Sequence, residues 1–198
     1  MDGKIIILVS SSPRRSEMLK KFKFKYKTIT PRVEEESEGD PIEVVKRNAK
    51  RKVLDNLNAD LFGLYVGVDT IVYIDGKIIG KPKNLEEARE VLRKLSGRRH
   101  KVISGIYIYD NVRRVEAFRH VETEVKFKEL SEEEVEWYIS TGEPMDAAGG
   151  YKIQGFGGLF IEWINGDYYN VVGLPINTLY EMIKELGLNP MEFMENHL

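Results

Sequence analysis

Residues 5–9, Ile-Ile-Ile-Leu-Val, form an unbroken apolar run that is followed at once by three serines, a proline and two arginines. A continuous apolar run of this length predicts a strand that is covered on both faces. Ser12 is a preferred helix N-cap and Pro13 fits the first helical position, so a helix is predicted to begin at Pro13. The chain therefore opens with a buried strand, a serine turn and a helix.

The turn between this strand and helix is rich in groups that bind anions. The first backbone N–H groups of a helix have no partner within it, and Arg14 and Arg15 lie where the helix dipole disfavours cations. A bound anion would remove this conflict, and hydroxyls, helix-end N–H groups and guanidiniums together suit a polyphosphate. The alternative is a solvated first turn whose arginines pair with acidic surface groups.

Composition limits the classes of protein that the chain can belong to. With 198 residues, we expect residues 1–198 to form a single domain of two closely joined lobes. The 30 Lys and Arg against 32 Asp and Glu give a net charge of -2, which predicts no nucleic-acid partner. The absence of cysteine excludes disulfides, thiolate metal sites and cysteine nucleophiles, and suits a cytoplasmic protein. The sequence predicts no signal peptide and no membrane association.

A second informative stretch covers residues 64–82, which predict a hairpin with a turn at Asp75 and Gly76. Asp69 lies in the middle of its apolar first strand, where burial of a carboxylate is costly without a cation or hydrogen-bond donors. Asp69 is therefore the candidate catalytic carboxylate, and a satisfied structural aspartate is the alternative. Counting back from the turn places Lys81 at the same end of the hairpin, opposite Thr70, unless a bulge intervenes.

The segment before this hairpin contains an acidic loop and a helix. Residues 34–40 are a source of carboxylates for a divalent cation, or else a solvated linker. Asp40 and Pro41 predict the start of a helix whose buried stripe has Lys52 at its edge. Lys52 could reach inward toward a site, although most lysines in this position extend to solvent.

The second half of the chain predicts further strands and helices. A helix follows Asn84, strands cover residues 102–109 and 112–127, and Ser131 opens a helix with a capping box. Residues 143–155 form a glycine-rich loop in which the Gln154 amide could contact a base edge. We expect a final hairpin over residues 159–172, with a turn at Asn165-Gly166, and a last helix from Pro175. The alternation of helices with strands predicts an α/β protein with a mixed sheet.

Several short motifs occur in order along the chain. They are Ser-Ser-Ser-Pro-Arg-Arg at 10–15, Gly-Val-Asp-Thr-Ile-Val at 67–72, Gly-Lys-Pro at 80–82, Leu-Ser-Gly-Arg at 95–98, Thr-Gly-Glu-Pro at 141–144, Ile-Gln-Gly at 153–155 and Asn-Val-Val-Gly-Leu-Pro at 170–175. Together they resemble the motifs of the Maf family of nucleoside triphosphate pyrophosphatases. The resemblance covers nearly the whole chain. It implies an inosine-triphosphatase-like α/β fold, with an elongated mixed sheet flanked by helices and two lobes around a central cleft. It also implies hydrolysis of a nucleotide to its monophosphate and pyrophosphate.

The resemblance assigns roles to particular residues. Asp69 matches the catalytic carboxylate, and Arg14, Thr70 and Gln154 match positions that select the substrate, in the combination that resembles the branch acting on dTTP and UTP. The remaining matches are polar cleft residues: Ser10, Arg15, Lys52 and Lys81, which we expect to bind phosphate, and Glu34. Because the leaving pyrophosphate carries most of the developing charge, we also predict Mg²⁺ or Mn²⁺ held by Asp69, Glu34 and phosphate oxygens. Within residues 34–36, we assign the metal ligand to Glu34.

Two positions depart from the family pattern. Ala147 stands where the family usually has a lysine, which removes a cation from the expected cleft, and Ser104 replaces a more usual threonine. Ala147 favours one alternative function, a nucleotide-binding regulatory module linked to cell division or growth arrest. A second alternative is an enzyme acting on a methylated purine triphosphate, although Thr70 and Gln154 argue against it. The resemblance and the expected exposed strand edges also predict a possible homodimer.

Overall fold

A computed structural model describes residues 4–195 as a mixed sheet flanked by helices. The strands are β1 (Ile6–Val9), β2 (Tyr26–Ile29), β3 (Leu64–Ile74), β4 (Lys77–Ile79), β5 (Arg99–Asp110), β6 (Val115–Phe127) and β7 (Ile161–Asn165). The α-helices are α1 (Pro13–Lys21), α2 (Pro41–Leu54), α3 (Leu85–Leu95), α4 (Glu132–Ser140), α5 (Tyr168–Val172) and α6 (Ile176–Glu185). Short 3₁₀ turns cover Glu143–Asp146, Ala148–Gly150, Phe156–Phe160 and Pro190–Phe193. No helix in this part of the chain is both long and apolar enough to cross a membrane.

The seven strands confirm the predicted mixed sheet. Their order is β2-β1-β3-β5-β6-β7, and β4 pairs with β3 outside this path. β1 is parallel to both β2 and β3, whereas the remaining pairs are antiparallel. The parallel part thus begins with the buried strand that opens the chain, and all four of its residues are buried.

The long strand β3 changes its neighbour halfway along one edge. Its first half pairs with β1 as far as Gly67, and its last residues pair with β4 from Val72 onward. In these ladders the four residues between them, 68–71, have no strand beside them on that edge. Ligands of α/β sheets bind where neighbouring strands diverge in this way. Asp69 and Thr70 lie at this fork.

Two hydrophobic cores pack on the same face of β3, one over each half. Val66 and Val68 belong to a core formed with α1 and α6, and Val72 and Ile74 belong to a core formed with α3 and α4. Side chains along a strand alternate between its faces, so Thr70 lies on this face in the gap between the two cores. The fork of β3 therefore lies between these two cores.

Helix α2 covers the opposite face of the sheet at very short range. A Cβ on Gly67 would lie 2.3 Å from the carbonyl oxygen of Ala49, and a Cβ on Gly105 would lie 2.8 Å from that of Val45. The two glycines, on neighbouring strands, therefore let the backbone of α2 contact the sheet directly. Asp69 is on this face and points toward α2.

Most local signals in the sequence are confirmed. Helices begin at Pro13 and Pro41, and the Asp40 side chain accepts hydrogen bonds from the first turn of α2, whereas Ser12 makes no such bond to α1. Asp75 and Gly76 both have positive φ angles, 53° and 72°, as a tight hairpin turn requires.

The predicted hairpin over residues 159–172 is wrong in its second half, because β7 ends at Asn165 and α5 follows. The Asp167 side chain accepts a hydrogen bond from Tyr169 N at 2.7 Å, which caps the helix. Asn170 is buried and donates to Val102 O and Thr123 Oγ1, contacts that this helix makes possible. Helix capping and a buried amide therefore outweigh the β-propensity of this segment.

Candidate active site

A cleft of about 780 Å³ opens at the fork of β3, a size typical of small-molecule sites. Its walls come from the turn after β1, from α2, from β3 and from the segments that follow β4 and α4. Eight of the site residues that the sequence predicts line it: Ser10, Arg14, Arg15, Lys52, Asp69, Thr70, Lys81 and Gln154. The structure thus brings together residues that are up to 144 positions apart in the chain (154 minus 10).

Asp69 is held by two donors from α2. Lys52 Nζ lies 2.7 Å from Asp69 Oδ1 and donates to Val68 O, and Asn48 Nδ2 donates to Asp69 Oδ2 at 2.9 Å. The side chains of Lys52 and Asp69 are only 3% and 5% exposed. These donors make burial of the carboxylate tolerable, and they fix its orientation at the wall of the cleft.

Asn48 is a site residue that the sequence analysis missed. It lies four residues before Lys52, on the same face of α2, and this spacing was the signal that could have revealed it. Its side chain also accepts a hydrogen bond from Glu36 N and donates one to Glu36 O, both at 2.9 Å. Asn48 therefore joins the acidic loop to Asp69.

Glu35, rather than Glu34, is the loop glutamate whose carboxylate meets Lys52 at the cleft. Its Oε1 lies 2.7 Å from Lys52 Nζ, whereas Glu34 does not line the cleft and the Glu36 carboxylate pairs with Arg47 and Arg51. Because side chains of an extended segment point alternately to opposite sides, the hydrogen bonds between Glu36 and Asn48 decide which glutamate faces inward. Burial acts to raise the pKa of Glu35, but the charge and hydrogen bond of Lys52, together with the charges of Arg15 and Lys81, hold that pKa below its ordinary value.

Arg15 ties three segments together behind the cleft. Its guanidinium donates to Gly173 O at 2.8 Å, to Thr70 Oγ1 at 3.1 Å and to Ser10 Oγ at 3.2 Å. Thr70 Oγ1 also lies 2.8 Å from Ser104 Oγ on β5, so its hydroxyl is fixed from two sides. Burial lowers the pKa of Arg15, and the nearby Asp69 and Glu35 carboxylates oppose this effect. Arg15 thus anchors the serine turn to β3.

Arg14 meets two lysines at one carboxylate on the other side of the cleft. Arg14 donates to Asp146 Oδ2 at 3.2 Å and to its carbonyl oxygen at 2.9 Å, while Lys152 Nζ lies 3.3 Å and Lys81 Nζ 3.6 Å from the same carboxylate. This pairing matches the alternative that an arginine of α1 contacts an acidic group. Burial acts to raise the pKa of Asp146, but hydrogen bonding to Lys152 and the charges of Arg14 and Lys81 hold it below its ordinary value. Neither Asp146 nor Lys152 was predicted from the sequence to be a site residue.

Gln154 lies on a loop that Glu143 holds in place. The Glu143 carboxylate accepts hydrogen bonds from Tyr138 OH at 2.8 Å and from the backbone N–H groups of Phe156 and Gly157, both at 3.0 Å. The Gln154 side chain itself is exposed to the cleft and makes no hydrogen bond with the residues at 4–195. Its amide is therefore available to a ligand.

A divalent cation fits this donor set only as a partner of a phosphate. Across residues 4–195, no group of three or more His, Cys, Asp or Glu side chains is placed to hold a metal ion. Asp69 and Glu35, however, flank the Lys52 ammonium at 2.7 Å each and provide two carboxylates at the cleft. Mg²⁺ is typically held by one or two carboxylates together with substrate phosphates, so the residues present suit such an ion.

Comparison with known proteins adds an independent finding. A family model described as Maf-like protein matches residues 5–186 of this chain. A dTTP/UTP pyrophosphatase of Dictyoglomus thermophilum is 48% identical over 187 residues, which cover 93% of this chain and 97% of that protein. Proteins of the same description from Pyrococcus horikoshii and Thermococcus onnurineus are 50% and 47% identical, over 94% of this chain and 98% and 100% of theirs.

Proposed function

This chain belongs to the Maf family, and we propose that it hydrolyses dTTP and UTP to the monophosphate and pyrophosphate. The observation that carries this proposal is the pairing of a buried, oriented carboxylate, Asp69, with a cation-lined cleft. Relatives at 42–50% identity that match nearly the whole chain are dTTP/UTP pyrophosphatases. An enzyme of this kind would remove nucleotides from the pool, including modified pyrimidines.

Hydrolysis at the α-phosphorus needs an activated water and neutralisation of the leaving pyrophosphate. The water oxygen forms a bond to the α-phosphorus, the bridging oxygen between the α- and β-phosphorus leaves with pyrophosphate, and Asp69 accepts the water proton. Lys52 and Asn48 keep the carboxylate in one orientation throughout. Arg14 and Lys81 stabilise the charge that develops on the leaving group.

A divalent cation, Mg²⁺ or Mn²⁺, would be held by Asp69, Glu35 and phosphate oxygens, and it would withdraw charge from the phosphate groups. Glu35 takes the role that the sequence assigned to Glu34, because Glu35 lines the cleft beside Lys52 and Glu34 does not. The Lys52 ammonium between the two carboxylates keeps them together before substrate binds.

Substrate choice rests on two different kinds of contact. The Gln154 amide is exposed and can both donate to and accept from a pyrimidine edge. Thr70 is fixed by Ser104 and Arg15, so it contributes the shape of the cleft floor more than a mobile hydrogen bond. Arg14 contacts the phosphates from the first turn of α1.

The test is incubation of the purified protein with a panel of canonical and modified nucleoside triphosphates and Mg²⁺ or Mn²⁺, with pyrophosphate and orthophosphate measured separately. Release of pyrophosphate from dTTP and UTP supports the proposal. Release from other bases alone keeps the reaction but refutes the roles of Gln154 and Thr70. Tight nucleotide binding without turnover refutes the enzyme and supports a regulatory nucleotide-binding module.

A further inference from the structure

The cluster around Asp146 has a charge imbalance. Arg14, Lys81 and Lys152 come from three separate segments of the chain and meet at this single carboxylate. All three cations line the cleft, whereas Asp146 does not. The cluster therefore presents a positive excess to the cleft, with its one counter-ion at the side.

The contacts within this cluster are looser than those at Asp69. The two lysine ammoniums lie 3.3 and 3.6 Å from the Asp146 carboxylate, compared with 2.7 Å between Lys52 and Asp69. Asp146 is half exposed, so water screens its attraction for the lysines. A pyrophosphate group offers more charge and more acceptor oxygens than one carboxylate, and flexible lysine stems can turn to it.

Lys152 is well placed to turn its ammonium from Asp146 to a pyrophosphate group. Its side chain is 23% exposed, and its backbone N–H donates to Tyr138 OH, which in turn is held by Glu143. The backbone of Lys152 is thus fixed while its ammonium lies at the cleft wall, two residues from Gln154. A ligand whose base contacts Gln154 would bring its phosphates within reach of this ammonium.

We propose that Lys152 binds the β- and γ-phosphates of the substrate, and that Asp146 is the counter-ion which these phosphates replace. The inference rests on the proposed function and extends it to two residues. It requires substitutions at the two positions to change anion affinity in opposite directions. Lys152→Met removes a phosphate ligand, whereas Asp146→Asn removes a competitor and leaves three cations without their partner.

The experiment is calorimetric titration with inorganic pyrophosphate, together with KM and kcat for dTTP. We expect Lys152→Met to raise the Kd of pyrophosphate by about tenfold, as expected for loss of one charge-assisted contact. Lys152→Arg, which keeps the charge, should stay near the wild-type value. Asp146→Asn should lower the Kd of pyrophosphate and strengthen product inhibition, with KM changing more than kcat.

Lys101→Met is the matched control, because Lys101 pairs with Glu122 on an exposed part of the sheet outside the cleft. Its pyrophosphate affinity should equal that of the wild type. An unchanged Kd in Lys152→Met overturns the inference, and so does weaker binding in Asp146→Asn, since Asp146 would then only position the cations. If the wild-type protein releases no pyrophosphate from any nucleotide but these shifts appear, the proposed function fails while the anion site stands.

Discussion

Replacement of Gly67 by alanine should separate the two elements that form the centre of the site. The added Cβ would lie 2.3 Å from Ala49 O and 2.8 Å from Val53 Cγ2. An ordinary contact begins at 3.4 Å, so α2 and β3 must move apart by about 1 Å at this point (3.4 minus 2.3). Neither partner can avoid the clash by a side-chain rotation alone, because the nearest atom belongs to the backbone.

The displacement has an energetic and a catalytic consequence. Overpacking of a close-packed interior costs about 1–3 kcal/mol, and a backbone clash places Gly67→Ala near the upper limit, at about 3 kcal/mol. The same movement would lengthen the 2.7 Å contact between Lys52 and Asp69, which joins the two elements. A misplacement of about 1 Å in a catalytic group lowers turnover by about a hundredfold, so kcat should fall by roughly that factor.

Urea unfolding and pyrophosphate release measure the two effects. Gly80→Ala serves as the stability control, because a Cβ there meets no atom within 4 Å and no positive φ is required. It should change the free energy of unfolding by less than about 0.5 kcal/mol. A Gly67→Ala protein with wild-type stability and kcat would refute the view that direct contact between α2 and β3 sets the geometry of Asp69.

Two further substitutions test other parts of the site, and a third, at the buried residue His100, tests the core beside it. Asp69→Asn should lower kcat by about 10²–10⁴-fold with an unchanged circular dichroism spectrum, and near-normal turnover would remove Asp69 from the mechanism. Burial lowers the pKa of His100 to about 4, below its unfolded value near 6.5. The unfolded state therefore binds the proton first, and the protein should lose about 3 kcal/mol of stability as the pH falls from about 6.5 to 4. Urea unfolding of His100→Gln should lack this loss, and an equal loss in both proteins would assign it to other groups. Glu143→Gln should raise KM for dTTP about tenfold with a smaller change in kcat, because an amide cannot accept all three hydrogen bonds that hold the Gln154 loop. Initial-rate measurements give both constants, and an unchanged KM would contradict this role of Glu143.

Features encoded within a few residues could be predicted from the sequence. The Asp75-Gly76 turn and the start of α2 at Pro41 depend on the local φ preferences and capping groups that the analysis used. The apolar residues around Asp69 predicted that it lies in a buried strand. Because a buried carboxylate needs hydrogen-bond donors or a cation, they also predicted that Asp69 has such partners. Only one of the two donors was predicted from the sequence, since Lys52 was named as a site residue and Asn48 was not.

Features that depend on how distant segments pack could not be predicted. Whether Glu34 or Glu35 faces the cleft follows from the contacts of Asn48 with Glu36. The sequence of three adjacent glutamates does not reveal which of their side chains points inward. Arg15 donates to Gly173, 158 residues away, so its anchoring role becomes visible only in the fold. The sequence left open a bulge in the hairpin that carries Asp69, but β3 pairs regularly with β5 through Gly67, and this glycine instead allows close approach of α2.

The side chain of Asn48 acts toward the acidic loop as a neighbouring strand would. Its carbonyl accepts from Glu36 N while its amide donates to Glu36 O, which is the two-way pairing that backbones exchange in a sheet. The same amide group has its second hydrogen on Asp69. An aspartate at position 48 could donate neither to Glu36 O nor to Asp69, and a glutamine side chain would be one methylene too long. The Asn48 amide thus couples the conformation of the acidic loop to the orientation of the Asp69 carboxylate. Protection of the Glu36 N–H from hydrogen exchange would therefore report on the orientation of Asp69, although the two groups are not in contact.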